Sequence, residues 1–156
     1  MMWNSPQAGS VAGSGRETAI DDPVSGRIMV IDDDPHFLRV MQRLLSGEQF
    51  EVVASSNPCE AVALLTSGSF DLIICDLRMP ECDGLSLLQT IRNQGNATPV
   101  VILTAYGEVD TYLEAMNAGA TEFLNKPMQS DDLLRVVRNC LRRNNHRRNA
   151  KRPDPV

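Results

Sequence analysis

From Arg27 onward, short apolar runs alternate along the chain with longer stretches of mixed hydrophobic and polar residues. The runs are rich in β-branched residues and predict five strands, at 27–32, 50–55, 70–76, 98–104 and 122–126. At least three of these runs are nearly continuous apolar segments, which is typical of parallel strands that helices cover on both faces. The pattern therefore predicts a buried parallel sheet.

Between the strands, apolar side chains recur every three or four residues, which predicts helices at 35–45, 58–67, 84–93, 108–117 and 130–143. Asn57 and Ser130 are suited to cap helix N-termini, and Gly47 and Gly68 are suited to end helices. Five alternating βα units with right-handed crossovers predict an α/β fold. We expect a doubly wound five-stranded parallel sheet in three α/β/α layers, with the flavodoxin-like strand order 2-1-3-4-5.

The 156 residues suffice for one domain. Residues 1–26 are rich in Gly, Ser, Ala and Pro without apolar periodicity, so we expect a disordered leader, a folded domain at 27–143 and a basic disordered tail at 144–156. The sequence has neither a secretion signal nor an apolar run that could span a bilayer, so we expect a cytoplasmic protein with no membrane partner. Its four cysteines form no C-x-x-C pair and are expected to be free thiols.

Charge is distributed unevenly along the chain. There are 19 acidic and 7 basic residues up to position 134, and 1 acidic and 8 basic residues from 135 on, which gives net charges of −12 and +7. An acidic body speaks against a protein that chiefly binds nucleic acid, because phosphate contacts need clustered Lys and Arg. The basic segment 142–152 leaves that partner open, although cations also suit the C-terminal end of a helix.

Polar residues stand where the predicted strands end. Strand one ends in three consecutive aspartates, 32–34, and strands three, four and five end in Asp76, Thr104 and Lys126. Each has an ordinary structural explanation by itself; Asp34, for example, precedes Pro35 and is suited to cap the first helix. Because ligand sites in doubly wound sheets lie beyond the carboxyl ends of the strands, these residues together predict one site.

Clustered carboxylates repel one another, and the simplest compensation is a hard divalent cation with oxygen ligands, such as Mg²⁺. A metal with open positions beside Lys126 and Thr104 describes a receptor for a phosphoryl group. A carboxylate is ionised at neutral pH, so one of the clustered aspartates could attack phosphorus without a general base.

Other motifs fail on inspection. Asp32, Asp34 and His36 have the spacing of a calcium loop, but Phe37 replaces the required glycine and Arg43 the final glutamate. No G-x-x-x-x-G-K occurs, and the two histidines, one beside a turn and one near the C-terminus, make acyl-transfer chemistry improbable.

Four segments occur in order: I-M-V-I-D-D-D-P at 28–35, D-L-I-I-C-D-L-R-M-P-E-C-D-G at 71–84, V-V-I-L-T-A at 100–105 and G-A-T-E-F-L-N-K-P at 119–127. Together they resemble the receiver domain of bacterial two-component response regulators, over residues 27–143. The resemblance implies that Asp76 is the phosphoacceptor. It implies also that Asp32 and Asp33 hold Mg²⁺ together with Asp76 and the backbone carbonyl of Arg78.

The same resemblance implies a conformational switch. Thr104 is the expected switch hydroxyl, Phe123 the aromatic switch position and Lys126 the phosphate-binding lysine, joined to Pro127 by a cis peptide bond. We expect a phosphoacceptor that assists its own phosphorylation and dephosphorylation, and not a turnover enzyme. Its expected donor is a sensor histidine kinase or a histidine phosphotransfer protein.

No effector domain follows within the 156 residues. The resemblance then implies output by docking on a downstream protein, as chemotaxis-type regulators do, or by passing the phosphoryl group along a relay. The sequence leaves open a homodimer linked to phosphorylation. Two alternatives also stay open: a regulator that acts on nucleic acid through 142–152, and a receiver scaffold that never takes phosphate.

Overall fold

The computed structural model of the chain describes residues 24–80, 82–105 and 108–151, with side chains as far as Arg147. Within them five strands alternate with five helices. In chain order they are β1 Arg27–Ile31, α1 Pro35–Gly47, β2 Glu51–Ser55, α2 Pro58–Ser67, β3 Leu72–Cys75, α3 Gly84–Asn93, β4 Val100–Thr104, α4 Val109–Asn117, β5 Glu122–Asn125 and α5 Ser130–Lys151. Every predicted element is present, and the strands begin or end within two residues of the predicted bounds.

The strands form one parallel sheet in the order β2-β1-β3-β4-β5, which confirms the predicted fold. The register places Ile28 of β1 beside Val52 of β2 and Leu72 of β3. All four residues of β3 and all five of β4 are buried, as the continuous apolar runs predict for strands covered on both faces.

Each face of the sheet has its own apolar layer. Successive strand side chains point to opposite faces, so Met29 and Ile31 pack with α2, α3 and α4, whereas Ile28 and Val30 pack with α1 and α5. We call these the α2–α4 layer and the α1/α5 layer. Because both faces of the sheet are covered, polar side chains gather where the parallel strands begin and where they end. We call these two ends of the sheet the amino edge and the carboxyl edge.

Side chains just before three helices cap them. Asp34 accepts a hydrogen bond from the His36 N–H at the start of α1 (2.9 Å), Asn57 accepts from the Cys59 N–H at α2, and Asp83 accepts from the Ser86 N–H at α3. Capping uses the side chain of Asp34 for helix α1, so the three consecutive aspartates do not share one role.

The last helix runs further than the sequence predicts. The prediction of a disordered tail is wrong for residues 144–151, which continue α5 as far as Lys151. Asn144 is buried, and its side-chain amide donates to the carbonyl of Asp71 (3.3 Å), so a polar residue continues the buried face of the helix. The rest of the predicted tail, 152–156, lies outside the described residues.

The beginnings of the domain and of α5 also differ from the predictions. The predicted leader lies outside the described residues as far as position 23, but Val24 is partly buried, and Gly26 accepts a backbone hydrogen bond from Glu51 (3.1 Å). The disordered-leader prediction is therefore wrong for 24–26.

The start of α5 also differs from the prediction that Ser130 caps this helix. The Leu133 N–H donates to the carbonyl of Gln129, so Gln129 occupies the cap position and Ser130 is the first helical residue.

The four cysteines are free thiols, as predicted. Among the described residues, no helix combines the length and the apolar composition that crossing a bilayer requires.

Candidate functional site

The predicted site residues meet at the carboxyl edge of the sheet. Asp32 follows β1, Asp76 follows β3 and Lys126 follows β5. The Asp76 N–H donates to the carbonyl of Ile31 (3.0 Å), so the two buried aspartates leave neighbouring strands side by side.

Three carboxylates cluster here. Asp32, Asp33 and Asp76 each offer an oxygen atom, and the three atoms lie within 4.8 Å of one another. Asp32 and Asp76 are buried, while Asp33 is exposed and opens the cluster to solvent. An all-oxygen donor set with one accessible side fits Mg²⁺, which binds one or two carboxylates and keeps several waters.

Lys126 is the cation of the site. Its Nζ lies 2.6 Å from Asp32 Oδ2 and 3.8 Å from Asp76 Oδ2. Its backbone N–H donates to the carbonyl of Thr104 (2.8 Å), which joins the ends of β5 and β4, and its peptide bond to Pro127 is cis, as predicted. A single ammonium group thus contacts one aspartate and faces the other.

Burial raises the pKa of Asp32 above the usual value of an aspartate, and the nearby charge of Asp76 raises it further. The hydrogen bonds from Lys126 and from the Asp34 N–H (2.9 Å) oppose this effect. Both oxygens of Asp32 are therefore oriented, Oδ1 by a backbone N–H and Oδ2 by the ammonium group.

Asp76 is held in a different way. Its Oδ1 accepts from the N–H of Leu77 (2.7 Å), which leaves Oδ2 facing Lys126. Burial raises the pKa of the Cys75 thiol well above its usual range, and this protonated thiol donates to the carbonyl of Asp76 (3.1 Å). Beneath that carbonyl lies Gly84, where an added Cβ would stand 2.3 Å from the Asp76 oxygen. The peptide group between Asp76 and Leu77 is thus held by contacts on both its N–H and its carbonyl.

Thr104 and Phe123 lie on β4 and β5. Thr104 ends β4 and is completely buried. Phe123 is partly buried against the α2–α4 layer and contacts Tyr112 of α4 edge to face, with ring centroids 5.6 Å apart and an interplanar angle of 82°. This contact couples β5 directly to the exposed surface of α4.

Comparison with known proteins explains this arrangement of residues. The family model described as the response regulator receiver domain matches residues 28–138, most of the chain. The chain belongs to this family. Membership places the protein in two-component phosphorelay signalling.

The receiver domain is similar to the transcriptional regulatory protein ZraR of Escherichia coli K12, with 37% identity over 114 residues, which are 73% of this chain and 26% of ZraR. It is similar also to the response regulator protein PilR of Pseudomonas aeruginosa, with 35% identity over 119 residues, 76% of this chain and 27% of PilR. The chain thus spans about a quarter of the length of these relatives.

Solved receiver structures share the fold over nearly their whole length. The signal receiver domain of a putative LuxO repressor protein from Vibrio parahaemolyticus superposes with a TM-score of 0.79 at 25% identity and covers 83% of this chain and 99% of that one. A receiver domain protein from Clostridium thermocellum gives 0.71 at 34% identity, with 75% and 94% covered.

The carboxylates and lysine that the sequence assigned to the receiver site are together in space. The expected role of the Arg78 carbonyl as a Mg²⁺ ligand stays a prediction. Arg78 lies in the turn after β3, where it forms an isolated β-bridge with Asp83, and its side chain is exposed. The position of the Thr104 hydroxyl relative to Asp76 also stays a prediction.

Sequence reasoning missed two residues of the receiver site. The sequence placed Phe37 in the predicted helix 35–45 without a role in the site, but its ring centroid lies 4.0 Å from Lys126 Nζ. Gly84 was assigned only as a helix start, but it lies against the carbonyl of Asp76. The Asp-Gly pair at 83–84 was the available signal for a close backbone approach; nothing in the sequence marks the Phe37 contact.

Proposed function

We propose that this receiver domain accepts a phosphoryl group on Asp76 from a histidine kinase or a histidine phosphotransfer protein, in a Mg²⁺-dependent reaction. The observation that carries the proposal is the position of Asp76 close to both an acidic pair and the ammonium group of Lys126. In this proposal the protein assists its own phosphorylation and dephosphorylation in the cytoplasm and is not a turnover enzyme.

Asp76 Oδ2 is the proposed nucleophile because Oδ1 is already hydrogen-bonded by the Leu77 N–H. The bond from Oδ2 to phosphorus forms as the bond from phosphorus to the donor's imidazole nitrogen breaks, and the leaving nitrogen takes the electron pair. Lys126, 3.8 Å from Oδ2, is placed to receive an oxygen of the incoming phosphoryl group and to neutralise its charge.

Asp32, Asp33 and Asp76 are the side chains that would hold Mg²⁺. Once bound, the cation supplies positive charge towards the phosphoryl oxygens. Asp32 Oδ2 already contacts Lys126 at 2.6 Å, so a bound cation would share the Asp32 carboxylate with the ammonium group of Lys126.

The proposed output is a change of the surface formed by α4, β5 and α5. Thr104 ends β4 in the buried interior and would move towards a phosphoryl oxygen, and Phe123 would rotate into the space released. Phe123 contacts Tyr112, so its rotation changes what α4 presents to a partner. Phe123 has no hydroxyl, so apolar burial is the source of stability for the inward state.

The partner that reads this surface is proposed to be a downstream protein. ZraR is described as a transcriptional regulatory protein. The match with this chain covers only a quarter of ZraR, so we propose, from this similarity alone, that the downstream protein controls transcription. A phosphorylation-linked homodimer and nucleic-acid contacts through 142–152 stay predictions.

Intact-mass analysis after incubation with acetyl phosphate and Mg²⁺ tests the proposal. Wild type should gain the mass of one phosphoryl group, and the modification should disappear under mild alkali because an acyl phosphate is labile. Asp76→Asn should gain nothing. Asp71→Asn makes the same change at the other end of β3 and serves as the matched control, which should be labelled like wild type.

Amide exchange on the same samples tests the output. Labelled wild type should differ from Asp76→Asn across 108–128, the segment that includes α4 and β5. Undiminished labelling of Asp76→Asn would remove Asp76 from its role. Labelling without any exchange difference would leave the phosphoacceptor intact and refute the proposed surface change.

A further inference from the structure

Among the described residues, three groups lie close to the ammonium of Lys126. Two are the carboxylates of Asp32 and Asp76, at 2.6 and 3.8 Å, and the third is the aromatic face of Phe37, whose ring centroid lies 4.0 Å from Nζ. This distance is well within the range of an attractive cation–π contact.

Phe37 is fixed relative to the acidic pair. It is the third residue of α1 and packs in the α1/α5 layer. The cap of this helix is Asp34, whose own N–H donates to Asp32 Oδ1 (2.9 Å). Ring and carboxylate are therefore attached to one short segment, whose backbone hydrogen bonds set where Phe37 leaves the chain relative to Asp32.

Asp32 has two roles in the proposed function, as a contact of Lys126 and as a ligand of the cation. A bound cation would compete with Lys126 for the Asp32 carboxylate, and a lysine side chain has a flexible four-carbon stem on which the ammonium can swing towards solvent. An aromatic face attracts the ammonium without adding negative charge. A further carboxylate in this place would repel the incoming phosphoryl group.

We propose that Phe37 is the positioning residue for Lys126, keeping its ammonium group over the carboxyl edge when Asp32 also holds the cation. The inference rests on the proposed function, since it assigns Lys126 to the phosphoryl oxygens. The contact itself comes from α1, and Asp76 could accept phosphate in the proposed way without it.

Phosphorylation kinetics with acetyl phosphate test the inference, since so small a donor needs no protein docking surface on α1. Phe37→Leu keeps an apolar side chain and removes the π face, and its rate at saturating donor should fall about three- to tenfold. Phe37→Tyr should restore most of the rate. Leu44→Ala, which removes packing from the same helix and layer, is the matched control and should leave the rate within about twofold of wild type.

A spectroscopic readout separates positioning from a general loss of structure. In wild type the ring current of Phe37 should shift the NMR resonances of the Lys126 methylene protons next to Nζ upfield, and the shift should persist when Mg²⁺ is added. In Phe37→Leu that shift should vanish while the resonances of the α2–α4 layer stay in place.

The outcomes distinguish this inference from the proposed function. Failure of wild type to take phosphate on Asp76 overturns both. Labelling of wild type with an equal rate in Phe37→Leu, or with ordinary shifts for the Lys126 methylene protons, overturns the role of Phe37 alone. An equal loss of rate in Leu44→Ala likewise refutes it, because packing would then account for the effect.

Discussion

The two edges of the sheet use aspartates in opposite ways, and β3 carries one at each end. At the amino edge, Asp71 Oδ2 accepts from the N–H of Arg27 (2.8 Å), and its own N–H donates to the Arg27 carbonyl (2.8 Å). At the carboxyl edge, Asp76 faces two other carboxylates and Lys126. One aspartate ties two strands together, and the other is left close to like charge.

Arg92 shows the same contrast for a cation. Its guanidinium donates to the carbonyls of Asn96, Thr98 and Gly119 at 2.8 to 3.2 Å, and burial lowers its pKa. Those oxygens belong to the segments that lead into β4 and β5. Arg92 thus joins neutral backbone groups, whereas Lys126 lies among carboxylates.

Polar groups at the amino edge stabilise the fold, whereas those at the carboxyl edge are arranged for chemistry. Where each charged group has a fixed backbone partner, its burial is compensated. Where carboxylates face one another, like charges are desolvated together, and stability is lower than it could be. Substitutions at the two edges should therefore separate stability from phosphorylation.

The largest effect is expected at the carboxyl edge from Gly84→Ala. Its Cβ would stand 2.3 Å from the Asp76 carbonyl oxygen and 2.9 Å from Leu77 Cα, and because both are backbone atoms there is no flexible side chain that could move aside. We expect a loss of about 3 kcal/mol in the free energy of unfolding, measured by urea denaturation, and slower labelling of Asp76.

Gly47→Ala is its control. A Cβ at Gly47, in the last turn of α1, meets no atom within 4 Å, so helix propensity should leave the stability unchanged or raise it by up to about 1 kcal/mol. Equal unfolding curves for Gly84→Ala and wild type would show that the turn under Asp76 is not tightly packed.

At the amino edge, Arg92→Met should cost about 2 kcal/mol of unfolding free energy, because it removes charged hydrogen bonds to three carbonyls. Labelling by acetyl phosphate should be unchanged, since this edge takes no part in the chemistry. Arg135→Met removes an exposed pair with Asp132 and should cost less than about 0.5 kcal/mol. Reduced labelling of Arg92→Met would contradict the comparison, because it would show that the amino edge also contributes to phosphorylation.

The smallest effect is expected from Asp33→Ala, and its sign is opposite. Removing one of three neighbouring carboxylates relieves repulsion, so the melting temperature without metal should rise, by roughly 2 °C because Asp33 is exposed. Added Mg²⁺ should raise the melting temperature of wild type by mass action and leave this variant unchanged. A wild-type response to Mg²⁺ in Asp33→Ala would exclude Asp33 as a ligand.

The fold and the site carboxylates were predictable because both follow from short-range patterns. Continuous apolar runs predict buried parallel strands, and residues at the ends of such strands must share one edge. Asp32, Asp33, Asp76 and Lys126 were found in that way, and so was the capping role open to Asp34.

The contacts that the sequence did not predict depend on tertiary packing. Asn144 looked like the start of a polar tail, but it completes a buried hydrogen bond to Asp71, and only the sheet edge supplies that acceptor. Phe37 looked like any other apolar residue of an amphipathic helix, and only the folded chain brings its ring to Lys126. Such pairings join residues far apart in the chain, where periodicity carries no information.

The two apolar layers have a consequence for how this sequence can change over evolutionary time. Among the described core residues none belongs to both layers, and Phe123 and Leu124, adjacent in β5, pack on opposite sides. Substitutions without shared partners contribute additively to stability. Mutational drift on the α1/α5 side can therefore proceed with little epistasis from the α2–α4 side, so each layer can change its own packing while the sheet between them stays fixed.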